Sequence, residues 1–187
     1  VDSVFVSRIS ENAFNAVGLA FPLQSLMIAV GAGTAVGVNA LLSRSLGEKN
    51  REMADRAAGC AVFLLPLCSF VLFALIGVLF SRPFFQAQAG GVPEIVEYGV
   101  SYTRICLGLS VGLFGQFCFE RLLQSTGRTG LAMCTQILGA VINIVLDPIM
   151  IFGLFGLPAM GVAGAAWATV AGQMVAAVVG LLVNLKC

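Results

Sequence analysis

From Phe14 to Leu42 the chain runs 29 residues without one charged side chain. A helix that crosses a bilayer needs about 20 predominantly apolar residues, so this stretch is long enough to span with some to spare. Four further stretches qualify. Ala57 to Phe80 is uncharged, and Tyr98 to Leu122 carries Arg104, Glu120 and Arg121. Met133 to Leu154 contains Asp147, and Val162 to Leu185 is uncharged. Ahead of them, Val1 to Ser7 reads as the last turns of another helix. Barrel strands would be about ten residues long with alternating polarity, and no such alternation is sustained here. The expected fold is all-α: a polytopic transmembrane bundle of five full helices plus the end of a first one. It forms a single membrane domain over residues 1–187.

Composition narrows the function. Hydrophobic residues make up 59% of the chain and charged residues 10%, against about 45–50% and about 25% in a soluble domain. That leaves too few polar side chains to coat a water-soluble globule. The net charge of +1 offers no basic face for nucleic acid. There is no histidine, which removes the Ser-His triad and most transition-metal sites, so the chain is not expected to be an enzyme. The six cysteines, at 60, 68, 106, 118, 134 and 187, have no C-x-x-C spacing and read as small apolar packing residues. The chain starts at Val1, and Val183 to Cys187 still reads as helix, so a piece of a longer protein is expected.

The connectors carry turn chemistry. Gly47 to Arg51 and Ser125 to Thr129 are polar, and Gly90-Gly91-Val92-Pro93 and Gly153 to Pro158 are helix breakers. Arg44, Lys49, Arg51, Arg56, Arg121, Arg128 and Lys186 fall on one side, and only Arg8 and Arg82 on the other, with Arg104 just inside the membrane. The lysine and arginine bias places the Arg44–Arg56 loop in the cytoplasm of a cell-membrane protein. The Arg8–Asn12 segment, the Arg82–Glu94 loop and the Gly153–Pro158 turn go outside. Gly33-x-x-x-Gly37 and Gly161-x-x-Gly164-Ala165-Ala166 predict close helix packing. Gly31 to Gly37 is a poor match to a dinucleotide loop, since its spacing is wrong. Pro66 and Pro148 lie inside spans, where each removes a backbone hydrogen bond and kinks its helix.

Charges in the apolar stretches are the functional signal, because a charged side chain at mid-bilayer costs roughly 2.5–3.5 kcal/mol on insertion scales. Asp147 must therefore face protein or water. Asn143 shares its helix face one turn earlier, and Pro148 frees the carbonyl of Ile144. Together these form a cluster of oxygen ligands suited to a proton or a hard monovalent cation. Asp2 lies about 9 Å, and Asp147 about 10 Å, from the expected outer ends of their helices. Carboxylates at matched depth can share one proton or one cation. Alternatively, Asp147 only fixes a kinked helix and Asp2 only ends one. Gln116 and Glu120 share a face and are candidates for a substrate cavity, although Glu120 can equally pair with Arg121 or Arg128. Thr169 can bond into the cavity or, the commoner habit, back to its own helix. Gln24, Asn39, Gln136 and Gln173 read as helix–helix glue.

The segment Asn143-Ile144-Val145-Leu146-Asp147-Pro148-Ile149-Met150-Ile151-Phe152-Gly153 resembles the fifth-helix motif of the multidrug and toxic compound extrusion (MATE) transporters. Gly161 to Thr169 resembles the start of their sixth helix, Val1 to Ser7 the end of the first, Asn12 to Pro22 the start of the second, and Leu41 to Asn50 the loop into the third. The resemblance implies one of two six-helix lobes, with the C-terminal lobe as the missing partner. It also implies export of small organic, often cationic, compounds in exchange for protons or sodium, with no cofactor beyond the coupling ion. The family's N-lobe cation site would fall on Asp2, Asp147 and Asn143, with Thr169 as a further member. Two rivals stand beside this reading. A flippase for lipid-linked oligosaccharide or peptidoglycan precursors should carry several cations for pyrophosphate in its cavity. A membrane scaffold that transports nothing should tolerate neutral residues at both aspartates.

Overall fold

The computed structural model describes residues 2–156 and 158–186, without the side chains at 64, 65, 68 and 155. The sequence readings at Val1, Leu157 and Cys187, and the packing role expected of the Cys68 side chain, lie outside the described residues. Among the described residues eight α-helices follow one another: α1 (Asp2–Val6), α2 (Glu11–Gly47), α3 (Arg51–Leu79), α4 (Ser81–Gln88), α5 (Pro93–Gly108), α6 (Val111–Ser125), α7 (Thr129–Phe152) and α8 (Gly161–Lys186). Helices α2, α7 and α8 are each long and apolar enough to cross a membrane. Two bent pairs bring the number to as many as five, which matches the expected spans in number.

The helix ends follow the local chemistry. Ser10 caps α2 by accepting a hydrogen bond from the Ala13 N–H, and Asn50 caps α3 by accepting one from Met53. Gly153 ends α7 in the left-handed conformation, at φ 71°, where a side chain would be strained. Helix α2, with 37 residues, is about 55 Å long. That is more than a hydrocarbon core of about 30 Å requires.

Two boundaries differ from expectation. Residues Tyr98–Leu122 are not one straight span: α5 and α6 meet at a 42° bend around Leu109–Ser110. The segment from Arg82 to Glu94, expected outside, is not all loop. It holds α4, set 49° from the end of α3, with Pro83 in its first turn, where a missing N–H costs little. Phe85 of α4 is fully buried, and its ring lies against Gly99 of α5. A side chain at position 99 would collide with that ring.

Most large apolar side chains on the outside stay exposed, among them Phe63, Leu75 and Leu185, as expected where the surroundings are lipid. The core is built from aromatics and small residues. Phe73 and Phe114 pack with ring centroids 5.6 Å apart, in the same buried cluster as Val162, Ala165 and Ala166. The tightest seam joins α7 to α8. A Cβ at Gly172 would lie 2.7 Å from the Gly139 carbonyl oxygen, and one at Gly164 would run into the Met150 backbone. Lipid tails are as apolar as leucine, so such backbone approach is what holds membrane helices together. Gly164 fulfils the packing expectation. At Gly33 and Gly37 nothing among the described residues lies within 4 Å of a Cβ. Of the cysteines, Cys106 and Cys118 are buried, whereas Cys60 and Cys134 are exposed.

Candidate functional site

Six helices line one cavity of about 510 Å³, and five of them give it polar side chains. Asp2 comes from α1, Gln24 from α2, Tyr102 from α5, Asn143 from α7, and Thr169 and Gln173 from α8. Phe21, Met27 and Ile28 supply an apolar wall.

The polar groups form a continuous hydrogen-bonded path. Thr169 donates its hydroxyl to Oδ2 of Asp2 over 2.8 Å and accepts from Nδ2 of Asn143 over 3.2 Å. The same Asn143 amide donates to Oδ1 of Asp147 over 3.3 Å. Tyr102 donates its hydroxyl to Oδ2 of Asp2 over 2.8 Å and accepts from Nε2 of Gln24 over 3.2 Å. Both hydroxyls therefore point their protons at one carboxylate oxygen. Asp147 is fully buried behind the cavity wall, and its Oδ2 has no hydrogen-bond partner among the described residues. Among the described residues neither aspartate forms an ion pair, and none of the lysines or arginines lines the cavity. A buried carboxylate without a counter-charge is costly. A mobile cation or a proton can supply what the protein withholds. The oxygens available from carboxylate, hydroxyl and amide groups are hard ligands. Among the described residues no three His, Cys, Asp or Glu side chains cluster as a multi-carboxylate metal site would require.

Asp2, Asn143, Asp147 and Thr169 are thus brought together. Thr169 takes the cavity-facing bond to Asp2 rather than the back-bond. Gln116 lines an adjoining cavity of about 260 Å³ that shares Asn143 and Thr169. Glu120 lines neither; it is buried and accepts from Nε2 of Gln116 over 2.9 Å. Its expected pairing with Arg121 or Arg128 is absent among the described ion pairs, and Arg121 donates instead to Gln124. Pro148 sits inside a continuous α7. Two participants were missed from the sequence. Tyr102 is one of only two tyrosines, and a phenol inside an apolar span was the signal for it. Gln24 is more than helix glue, since it orients that phenol.

A profile of the MatE family matches residues 1–149. Over 160 residues the chain is 33% identical to the probable multidrug resistance protein YoeA of Bacillus subtilis, a match covering 85% of this chain and 34% of that protein. Over 184 residues it is 30% identical to the FAD transporter of Shewanella oneidensis, covering 94% and 38% respectively. Among solved structures, the outward-facing conformation of a multidrug resistance MATE family transporter of the MOP superfamily is similar at a TM-score of 0.80 and 31% identity, covering 95% of this chain and 38% of that one. The chain therefore spans under two fifths of the length of these relatives.

Proposed function

The chain belongs to the MatE family of membrane transporters, and from that premise we propose that it forms most of the N-terminal lobe of a cation-coupled exporter. The whole transporter moves small organic cations out of the cell by alternating access, in exchange for protons or sodium. Asp2 and Asp147 are the coupling carboxylates, and Thr169 and Asn143 carry the effect of charge at one to the other. Tyr102 and Gln24 hold Asp2 in place. The second lobe closes the opposite wall of the cavity, the Arg44–Arg56 loop lies in the cytoplasm, and the membrane is the plasma membrane.

The observation that carries this reading is the unbroken path from Asp2 through Thr169 and Asn143 to Asp147, in a cavity that no lysine or arginine lines among the described residues. A bound proton or sodium ion shifts the lobe between conformations only by binding one of them better. Neutralising Asp2 removes the charge that strengthens the bonds from Tyr102 and Thr169, and a proton also turns one acceptor oxygen into a donor, so the contacts of α5 and α8 change. That differential contact gives coupling a physical basis. The same lack of lysine and arginine speaks against a pyrophosphate-binding flippase.

The test is transport by the full-length protein in sealed proteoliposomes. Efflux of a fluorescent organic cation should accelerate when an opposing proton or sodium gradient is imposed, and collapse when the gradient is dissipated. Efflux indifferent to both gradients would sink the proposal.

A further inference from the structure

A second polar cavity, of about 400 Å³, lies between α4 and α5 and is lined by Arg82, Glu97, Ser101 and Arg104 with Val96, Val100 and Ile105. Glu97, Ser101 and Arg104 stand four and three residues apart, on one face of α5. Tyr102 is two residues from Arg104, about 200° around the helix, so this cavity opens on the side of α5 turned away from the aspartate site. Arg104 lies eleven residues into α5, about 16 Å along the helix. It is exposed there, inside an apolar span. Neither Arg82 nor Arg104 forms an ion pair among the described residues. Two guanidinium groups from different helices, with a hydroxyl one turn away, match the oxygens of a phosphate. Glu97 adds a single opposite charge on the same wall, and the valines and Ile105 are apolar enough to lie along an acyl chain.

We propose that this cavity binds the head group of a bilayer phospholipid of the phosphoethanolamine type. Arg82 and Arg104 hold the phosphate, and Glu97 takes the primary ammonium. Two cations and one anion complement a zwitterionic head group better than a purely anionic one. The N–H donors of a primary ammonium can bond to a carboxylate, whereas a trimethylated one has none to offer.

The full-length transporter, stripped of lipid and offered equal amounts of phosphatidylethanolamine, phosphatidylcholine and phosphatidylglycerol, should retain phosphatidylethanolamine preferentially in native mass spectrometry. Arg82→Gln and Arg104→Gln should each lower retention about tenfold, the loss of one charge-assisted contact. Glu97→Gln should keep phospholipid bound but erase the preference for ethanolamine. Equal retention of the three lipids by the unaltered protein overturns the proposal, and that result needs no variant to fold. A doubly substituted Arg82→Gln, Arg104→Gln protein that keeps wild-type thermal stability and full retention also overturns it. Retention of soluble glycerophosphoethanolamine with no retention of phosphatidylethanolamine would assign the cavity to a water-borne phosphate ester and overturn the lipid assignment.

Discussion

Tyr102 and Thr169 both give their protons to Oδ2 of Asp2, and that convergence makes the residues separable by experiment. Thr169→Val deletes the bridge between the carboxylates, whereas Thr169→Ser keeps the hydroxyl. A hydrogen bond to a charged group contributes about 1.5–3 kcal/mol, so Thr169→Val should weaken the apparent affinity for the coupling ion by about tenfold or more. Thr169→Ser should stay close to wild type; ion-concentration dependence of transport reads both. Tyr102→Phe should weaken it as well, with Asp2 still held by Thr169. The aspartates themselves were legible in the sequence, because a carboxylate in an apolar span must have a reason to be there. Asn143 was legible from its four-residue spacing. Tyr102 and Gln24 were not, because their contact spans 78 residues and neither breaks the apolar pattern as a charge does.

The same division appears among the helices. Long apolar runs and glycine-rich turns are local features, so α2, α7 and α8 could be read from sequence with boundaries off by only a few residues. The bend between α5 and α6 and the separate helix α4 are set by tertiary packing, such as Phe85 on Gly99, which no hydropathy pattern encodes. Glycine spacing misled for the same reason: Gly33 and Gly37 have the dimer-motif spacing and touch nothing among the described residues, while Gly139 and Gly172, in different helices, touch each other. Gly172→Ala should therefore destabilise the protein by about 1–3 kcal/mol through overpacking against backbone. Gly33→Ala and Gly37→Ala should be neutral, or stabilising by up to about 1 kcal/mol from helix propensity. Thermal unfolding in detergent distinguishes them. Equal losses at all three positions would mean the α7–α8 seam is not the tight contact described.

For the whole molecule, sidedness and coupling are the properties to test. In a cysteine-free background, Lys49→Cys should be protected from an impermeant thiol reagent added to intact cells, and Gly90→Cys should be labelled; the reverse pattern would invert the topology. The central claim is that charge at Asp2 and Asp147 ties substrate movement to an ion gradient. Asp147→Asn in the full-length transporter, reconstituted with a gradient of the coupling ion, tests it most directly. Substrate should still equilibrate across the membrane, but accumulation against its own gradient should vanish. Uphill transport by Asp147→Asn at the wild-type level would contradict the account.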